Sequence, residues 1–266
     1  MIILGQEKDM KKKTLGFKMI DPKKGYSVDL SHLANFRLNV ISDVHIGAQG
    51  CDIIKLNKAI EKIKKDPLGY VILNGDNIEF IPPAYKISER GQELANDDQV
   101  IKFTELFRPI AHKILFIRGG NHDTERSINI AGCDIVKVIA DRLDVPYYEL
   151  PGHMTIKLKH RNIVIVSGHG FSGGDNGDRE LLKMKRVYPD GDVYVLGHNH
   201  QLYAKRDDSL HLAKDGSESY HEAWIGRSGS FLEYADYARK RFMAPQPTGH
   251  LIVEVIKTQI SCRTES

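Results

Sequence analysis

Five short apolar runs set the rhythm of the chain, and each is closed by a polar cluster. Leu38-Asn39-Val40-Ile41 leads into Asp43-Val44-His45, and Tyr70-Val71-Ile72-Leu73 into Gly75-Asp76-Asn77. Ile114-Leu115-Phe116-Ile117 leads into Gly119-Gly120-Asn121-His122-Asp123. Ile163-Val164-Ile165-Val166 is closed by Gly168-His169-Gly170, and Val193-Tyr194-Val195-Leu196 by Gly197-His198-Asn199-His200. A short β-rich run that ends in glycine predicts a buried strand followed by a tight loop. Between the first two runs, Ile53, Ile54, Leu56, Ile60 and Ile63 recur at helical spacing up to Lys65, and Asp66-Pro67-Leu68-Gly69 ends the repeat. Strand, helix, strand is the signature of a parallel pair, so the class is α/β.

The same reading predicts helices over 97–111 and about 128–142, with a strand over 114–118. Strands 152–159 and 162–167, joined at His160-Arg161-Asn162, read as a hairpin. Further strands are expected over 201–206, 209–213, 222–228 and 250–257. Pro82-Pro83 makes 78–96 a loop, a rim for any pocket at the strand ends. Phe171 to Gly177 reads as a flexible glycine-rich connection into a short charged helix; it lacks the spacing of a phosphate-binding loop.

The length of 266 residues, without repeats or low-complexity linkers, predicts one domain over 37–266, preceded by an arm or hairpin, 1–36, packed on it. A net charge of +3 is too small to imply nucleic-acid binding by charge alone, and Lys11-Lys12-Lys13 and Lys23-Lys24 read as solvated surface. Cys51, Cys133 and Cys262 are odd in number and far apart, which fits a reducing compartment. The opening Met1-Ile2-Ile3-Leu4 is too short for a signal segment, and no apolar run approaches the ~18 residues of a membrane span, so a cytoplasmic protein with no membrane partner is expected.

The polar clusters carry the chemistry. Ligands of α/β sheets sit beyond the carboxyl ends of the strands, so five such ends supplying Asp, Asn and His converge on one site. Carboxylate, carboxamide and imidazole without thiolate suit Mn, Fe, Zn, Ni or Co rather than an all-cysteine zinc. Alternate side chains of an extended segment face one way, which would align Asp43 with His45 and His198 with His200. Adjacent Asn121 and His122 would diverge, one toward a metal and the other over the neighbouring space. The remaining histidines, His32, His112, His153, His160, His211, His221 and His250, read as surface or packing residues.

In this order, D-x-H, G-D-x, G-N-H-D, G-H and G-H-x-H resemble the calcineurin-like metallophosphoesterase superfamily, with all five blocks in register between residues 38 and 200. The resemblance implies a sandwich of two mixed β-sheets flanked by helices. It also implies two divalent metal ions, manganese first among them. One would be held by Asp43, His45 and His200, and the other by Asn121, His169 and His198, with Asp76 bridging. His122 and Asp123 would be the catalytic pair: His122 as general acid toward the leaving oxygen, Asp123 closing the motif as a supporting group. A metal-bridging hydroxide would make the in-line attack.

Gly75-Asp76-Asn77-Ile78-Glu79-Phe80 departs from the G-D-x-V-D-R-G of protein phosphatases, which counts against that branch. The expected activity is that of a phosphodiesterase acting on a nucleotide or nucleic-acid substrate. A phosphomonoesterase is one alternative, and a catalytically inactive interaction scaffold with the same fold is another, although every motif ligand is present. Asn77 is open between contacting substrate and capping its loop. Arg118, Arg126, Arg179 and Arg227 are candidates for pairing with phosphate.

Overall fold

The computed structural model describes residues 20–21, 23, 25–81, 91–171, 177–233 and 244–266. Most of the arm expected over 1–36, the centre of the 78–96 loop and the centre of the glycine-rich loop lie outside the described residues. So do Lys11–Lys13, Lys24 and the stretch that begins at Tyr234.

Thirteen strands are described. The first sheet has the order β13 (Gln259–Glu265), β12 (His250–Ile256), β2 (Asn35–Ile41), β3 (Gly69–Asn74), β4 (Ile114–Arg118). Strands β2, β3 and β4 are parallel, whereas β12 and β13 run against their neighbours. The second sheet has the order β1 (Tyr26–Leu30), β5 (Gly152–Leu158), β6 (Asn162–Gly168), β7 (Val193–Leu196), β11 (Trp224–Ser228), β8 (Leu202–Arg206). Within it β6, β7 and β11 are parallel, and β5 and β6 form the antiparallel hairpin predicted from their joining turn. Strands β9 (Ser209–Leu212) and β10 (Glu218–His221) make a separate ribbon.

The two sheets pack face to face. Leu38, Val40, Ile72, Phe116, Leu251 and Val253 from the first meet Met154, Ile156, Ile163, Ile165, Val193 and Val195 from the second. The outer face of the first sheet is covered by α1 (Ile53–Lys65), α2 (Asn96–Phe107) and α4 (Ile135–Leu143) through Leu56, Ile60, Phe103, Phe107, Val136 and Ile139. The outer face of the second packs Val166, Tyr194 and Leu196 against Leu181 of α5 (Gly177–Val187). The fold is therefore the helix-flanked, mixed two-sheet sandwich implied by the resemblance. No helix among the described residues is long and apolar enough to cross a membrane.

Three local departures from the predicted elements have physical causes. The helix expected over 97–111 stops at Phe107 and tightens into a 3-10 turn over Arg108–Lys113, because Pro109 has no N–H to continue the ladder. The helix expected near 128–142 is split in two. The first part, α3 (Arg126–Ala131), ends at left-handed Gly132, and α4 restarts at Asp134, whose side chain accepts from the N–H groups of Val136 and Lys137. Strand β13 follows the predicted last strand as an edge strand, with only Ile260 and Cys262 turned toward the core between exposed polar residues, too short an apolar alternation to stand out in the sequence.

Candidate metal centre

Strands β2, β3 and β4 of one sheet and β6 and β7 of the other deliver the five polar clusters beyond their carboxyl ends. Seven of the side chains singled out in the sequence meet there. The Nε2 atoms of His45 and His200 lie 3.3 Å apart, and Asp43 Oδ1 is 3.5 Å from the latter and 4.0 Å from the former. Asp76 Oδ2 stands between the two groups, 3.9 Å from His45 Nε2 and 3.1 Å from His169 Nε2. On the far side, Asn121 Oδ1 is 3.2 Å from His169 Nε2 and 2.9 Å from His198 Nδ1. Three overlapping sets, Asp43/His45/His200, His45/Asp76/His122 and Asp76/His169/His198, each keep their donor atoms within 4.8 Å of one another.

The backbone reaches this arrangement by a route the alternation argument does not describe. Asp43, His45, Asp76, His198 and His200 all adopt left-handed conformations, with φ between 48° and 73°. Neither D-x-H nor H-x-H is extended. Each polar residue sits in a tight left-handed bend, and the bends rather than a pleat turn the side chains inward. Left-handed backbone is unfavourable for residues other than glycine, and such strain gathers at sites that the surrounding structure over-determines. Gly75 is held at φ 102°, and an added Cβ would strike His169 Nδ1, so this position requires glycine. Asn121–Glu125 forms a single π turn, a widening of the helix frequent at functional sites.

His122 follows Asn121 on that turn. Its backbone N–H donates to Asp76 Oδ1 at 2.8 Å, and its ring Nδ1 meets Glu79 Oε1 at 3.0 Å. The other Glu79 oxygen is 2.8 Å from Nδ1 of His45, so one buried carboxylate supports both rings. Sequence reasoning missed Glu79. The signal was its place three residues after Asp76, where the protein phosphatase motif carries aspartate; the glutamate keeps that charge on a longer arm. Arg126 closes the cluster, donating to the Glu79 carbonyl at 2.9 Å and to Oε1 at 3.1 Å.

Asp123, paired with His122 as catalytic in the sequence, is wholly buried and faces the loops. Its carboxylate accepts from the N–H groups of Asn77, Gly120 and Thr124 and from Asn77 Nδ2. These bonds tie the second cluster to the third. Asn77 serves the same end, and its amide also donates to the Arg118 carbonyl at 2.9 Å, so it caps its loop.

The electrostatics show which charge the site accepts. Burial opposes a proton on His45, yet Glu79, Asp76 and Asp43 raise it to about 9. Burial likewise opposes one on His169, and Asp76 and Asp43 raise it to about 10. Asp76 is itself held well below the usual carboxylate range against its burial, chiefly by His169. Burial pushes His200 down to about 4, and it lowers His198 as well. The carboxylates thus draw positive charge toward two rings, while the other two stay neutral with lone pairs free for coordination. A divalent cation satisfies both conditions at once, displacing protons as it binds. Donors limited to oxygen and imidazole nitrogen fit Mn, Fe, Co, Ni or Zn, and the residues present fit a pair of such ions.

Comparison with known proteins agrees with this chemistry. The profile of the calcineurin-like phosphoesterase superfamily domain matches residues 36–232. Solved structures of similar fold include zinc-bound Vps29 from Entamoeba histolytica, at 13% identity and TM-score 0.46 over 86% of this chain and 98% of that one. A predicted phosphoesterase from Streptococcus pneumoniae aligns at 16% identity and TM-score 0.42, over 87% and 90% of the two chains. A phosphatase from Mycoplasma pneumoniae aligns at 13% and 0.42, over 87% and 93%. No curated protein matches the sequence. At identities this low, nothing about substrate passes from these structures to this chain.

Proposed function

Because the chain belongs to the calcineurin-like phosphoesterase superfamily, we propose that it hydrolyses phosphoesters on a pair of divalent cations, manganese first among them, and that its substrates are diesters of nucleotide or nucleic-acid type. The observation that carries this reading is the overlap of three donor sets through His45 and Asp76. Asp43, His45 and His200 would hold one ion, Asn121, His169 and His198 the other, and Asp76 both. Two such ions supply Lewis-acid charge that acidifies water and neutralises phosphoryl oxygens.

The residues of the chain do the rest. Asp76 keeps two like charges close, and Asn121 contributes a donor without adding repulsion toward an anionic substrate. Glu79 fixes His122 through Nδ1, which leaves Nε2 as the nitrogen that exchanges a proton with the leaving oxygen. The second cluster ends in Phe80 where protein phosphatases carry arginine, which favours a diester over a phosphoprotein. With its three cysteines as free thiols, the protein suits a reducing, cytoplasmic setting.

The test compares bis-p-nitrophenyl phosphate with p-nitrophenyl phosphate on manganese-loaded protein. The diester should turn over at least about tenfold faster by kcat/KM, on the order of 1.4 kcal/mol in the barrier. Preference for the monoester would reassign the substrate class. Two bound ions with turnover of neither compound, nor of nucleotides or single-stranded DNA, would sink the reading and favour a scaffold.

A further inference from the structure

The four arginines near the motif loops have very different surroundings. Arg118 is 1% exposed, lies between the rings of Phe116 and Tyr148, and donates to the Ser167 carbonyl at 2.6 Å. Arg227 is 0% exposed and bound to the Gly197 carbonyl and Glu180. Both are enclosed beneath the site and cannot meet a substrate. Arg179 stands exposed on α5. Arg126 differs from all three: its side chain is 31% exposed, and its NH2 nitrogen lies 3.1 Å from His122 Nε2, the nitrogen that must face a leaving oxygen.

We propose that Arg126 is the phosphate-anchoring residue of this centre, and that its place beside His122 is where it waits for substrate. The assignment rests on the phosphoester reading above. Three observations carry it. First, Glu79 already has both imidazoles as partners, so the guanidinium is not required to satisfy that carboxylate. Second, Arg126 spends an N–H on a ring nitrogen, and a phosphoryl oxygen is the stronger acceptor, because both partners are then charged. Third, while the guanidinium donates to His122 Nε2, that nitrogen cannot donate elsewhere. An arriving phosphoryl group that draws the guanidinium across frees Nε2 at the same moment. The planar fork suits this exchange, since one edge can stay on Glu79 while the other takes an oxygen not held by the ions.

The experiment measures the binding of inorganic phosphate by calorimetry to manganese-loaded wild type, Arg126→Ala and Arg126→Lys, with ion content and melting temperature recorded for each. Arg126→Ala should retain its manganese and bind phosphate about 10–100-fold more weakly, the size of a charge-assisted hydrogen bond. Arg126→Lys should recover part of the loss, as a point charge without the fork. For bis-p-nitrophenyl phosphate, KM should rise further than kcat falls. If removal of the side chain destabilises the fold, Arg126→Lys decides alone: wild-type phosphate affinity at wild-type ion content overturns the assignment. It is overturned equally if Arg126→Ala binds phosphate within about twofold of wild type, or if loaded wild type binds none. Phosphate binding that depends on Arg126, in a protein that hydrolyses no ester, would uphold the anchoring role and sink the hydrolase reading instead.

Discussion

The two halves of the proposed centre share Asp76 and each offers two imidazoles, but the first adds the Asp43 carboxylate where the second adds the neutral Asn121 amide, and they differ in what stands behind the rings. In the first half, His45 Nδ1 rests on the Glu79 carboxylate at 2.8 Å, and Asp43 adds a second negative charge. In the second, His169 Nδ1 rests on the backbone carbonyl of Asn74 at 3.1 Å, and His198 faces the neutral amide of Asn121. A carboxylate behind a ligating histidine adds a negative charge that a carbonyl does not, and such supports are worth about 10–100-fold in metal affinity. The first half should therefore hold its cation more tightly. The second half, less negative, is the side where an anionic substrate meets less repulsion. The two donor sets would thus divide the labour through the contrast of Asp43 with Asn121 and through the group behind each imidazole.

The largest predicted effect breaks what the halves share. Asp76→Asn keeps the shape of the side chain but removes the bridging charge. It should reduce the bound ions from two to one or none and lower turnover by roughly 10⁴-fold or more, since each ion supplies several kcal/mol of charge stabilisation. Metal analysis alongside kinetics checks it, and two tightly held ions in the variant would refute the bridging role. Next comes His122→Ala, which leaves the seven proposed ligands in place: ion content should match wild type while kcat falls about 10²–10⁴-fold, the range of a lost general acid. Equal ion loss in both variants would mean that His122 is a ligand and not an acid. Glu79→Gln probes the asymmetry itself. It should weaken the tighter ion by about 10–100-fold and bring the two affinities together; an unchanged gap between them would remove Glu79 as its cause.

How much of this could be read from the chain differs between the halves as well. The ligands proposed for the ions lie directly after apolar strands, so Asp43, His45, Asp76, Asn121, His169, His198 and His200 stood out by position, and the sheets that carry them follow the same runs. Glu79 did not, because it lies past the end of the second cluster, and only the fold brings it under both His45 and His122. The left-handed bends were hidden for another reason. Their cause is tertiary: Asp43 takes that conformation while its N–H donates to the Gly75 carbonyl and its carboxylate accepts from the N–H of His198, contacts between loops of different strands. Strand periodicity points to the residues that converge, but pleat alternation is the wrong reason for their convergence.

The last effect tells protons from cations as occupants. His45 at about 9 and His169 at about 10 stand above the ~6.5 of an unfolded histidine. Folding of the metal-free protein is favoured by protons on these rings. That contribution is whole below pH ~6.5 and is lost as pH rises through 9 and then 10, by about 3 kcal/mol for His45 and about 5 kcal/mol for His169 at most. Once manganese occupies the lone pairs the protons are gone, and this alkaline loss should vanish from urea midpoints measured against pH. His250 supplies the contrast. It is 2% exposed, meets Asn39 Oδ1 at 3.0 Å and stacks on Phe231, and burial pushes it down to about 4. Its contribution is present above pH ~6.5 and is lost as pH falls toward 4, with or without metal. Glu79→Gln should erase the step near pH 9 that belongs to His45 and spare the one near pH 10 that belongs to His169. An alkaline loss of the same size in loaded and metal-free protein would place its origin outside the centre and leave the two halves electrostatically alike.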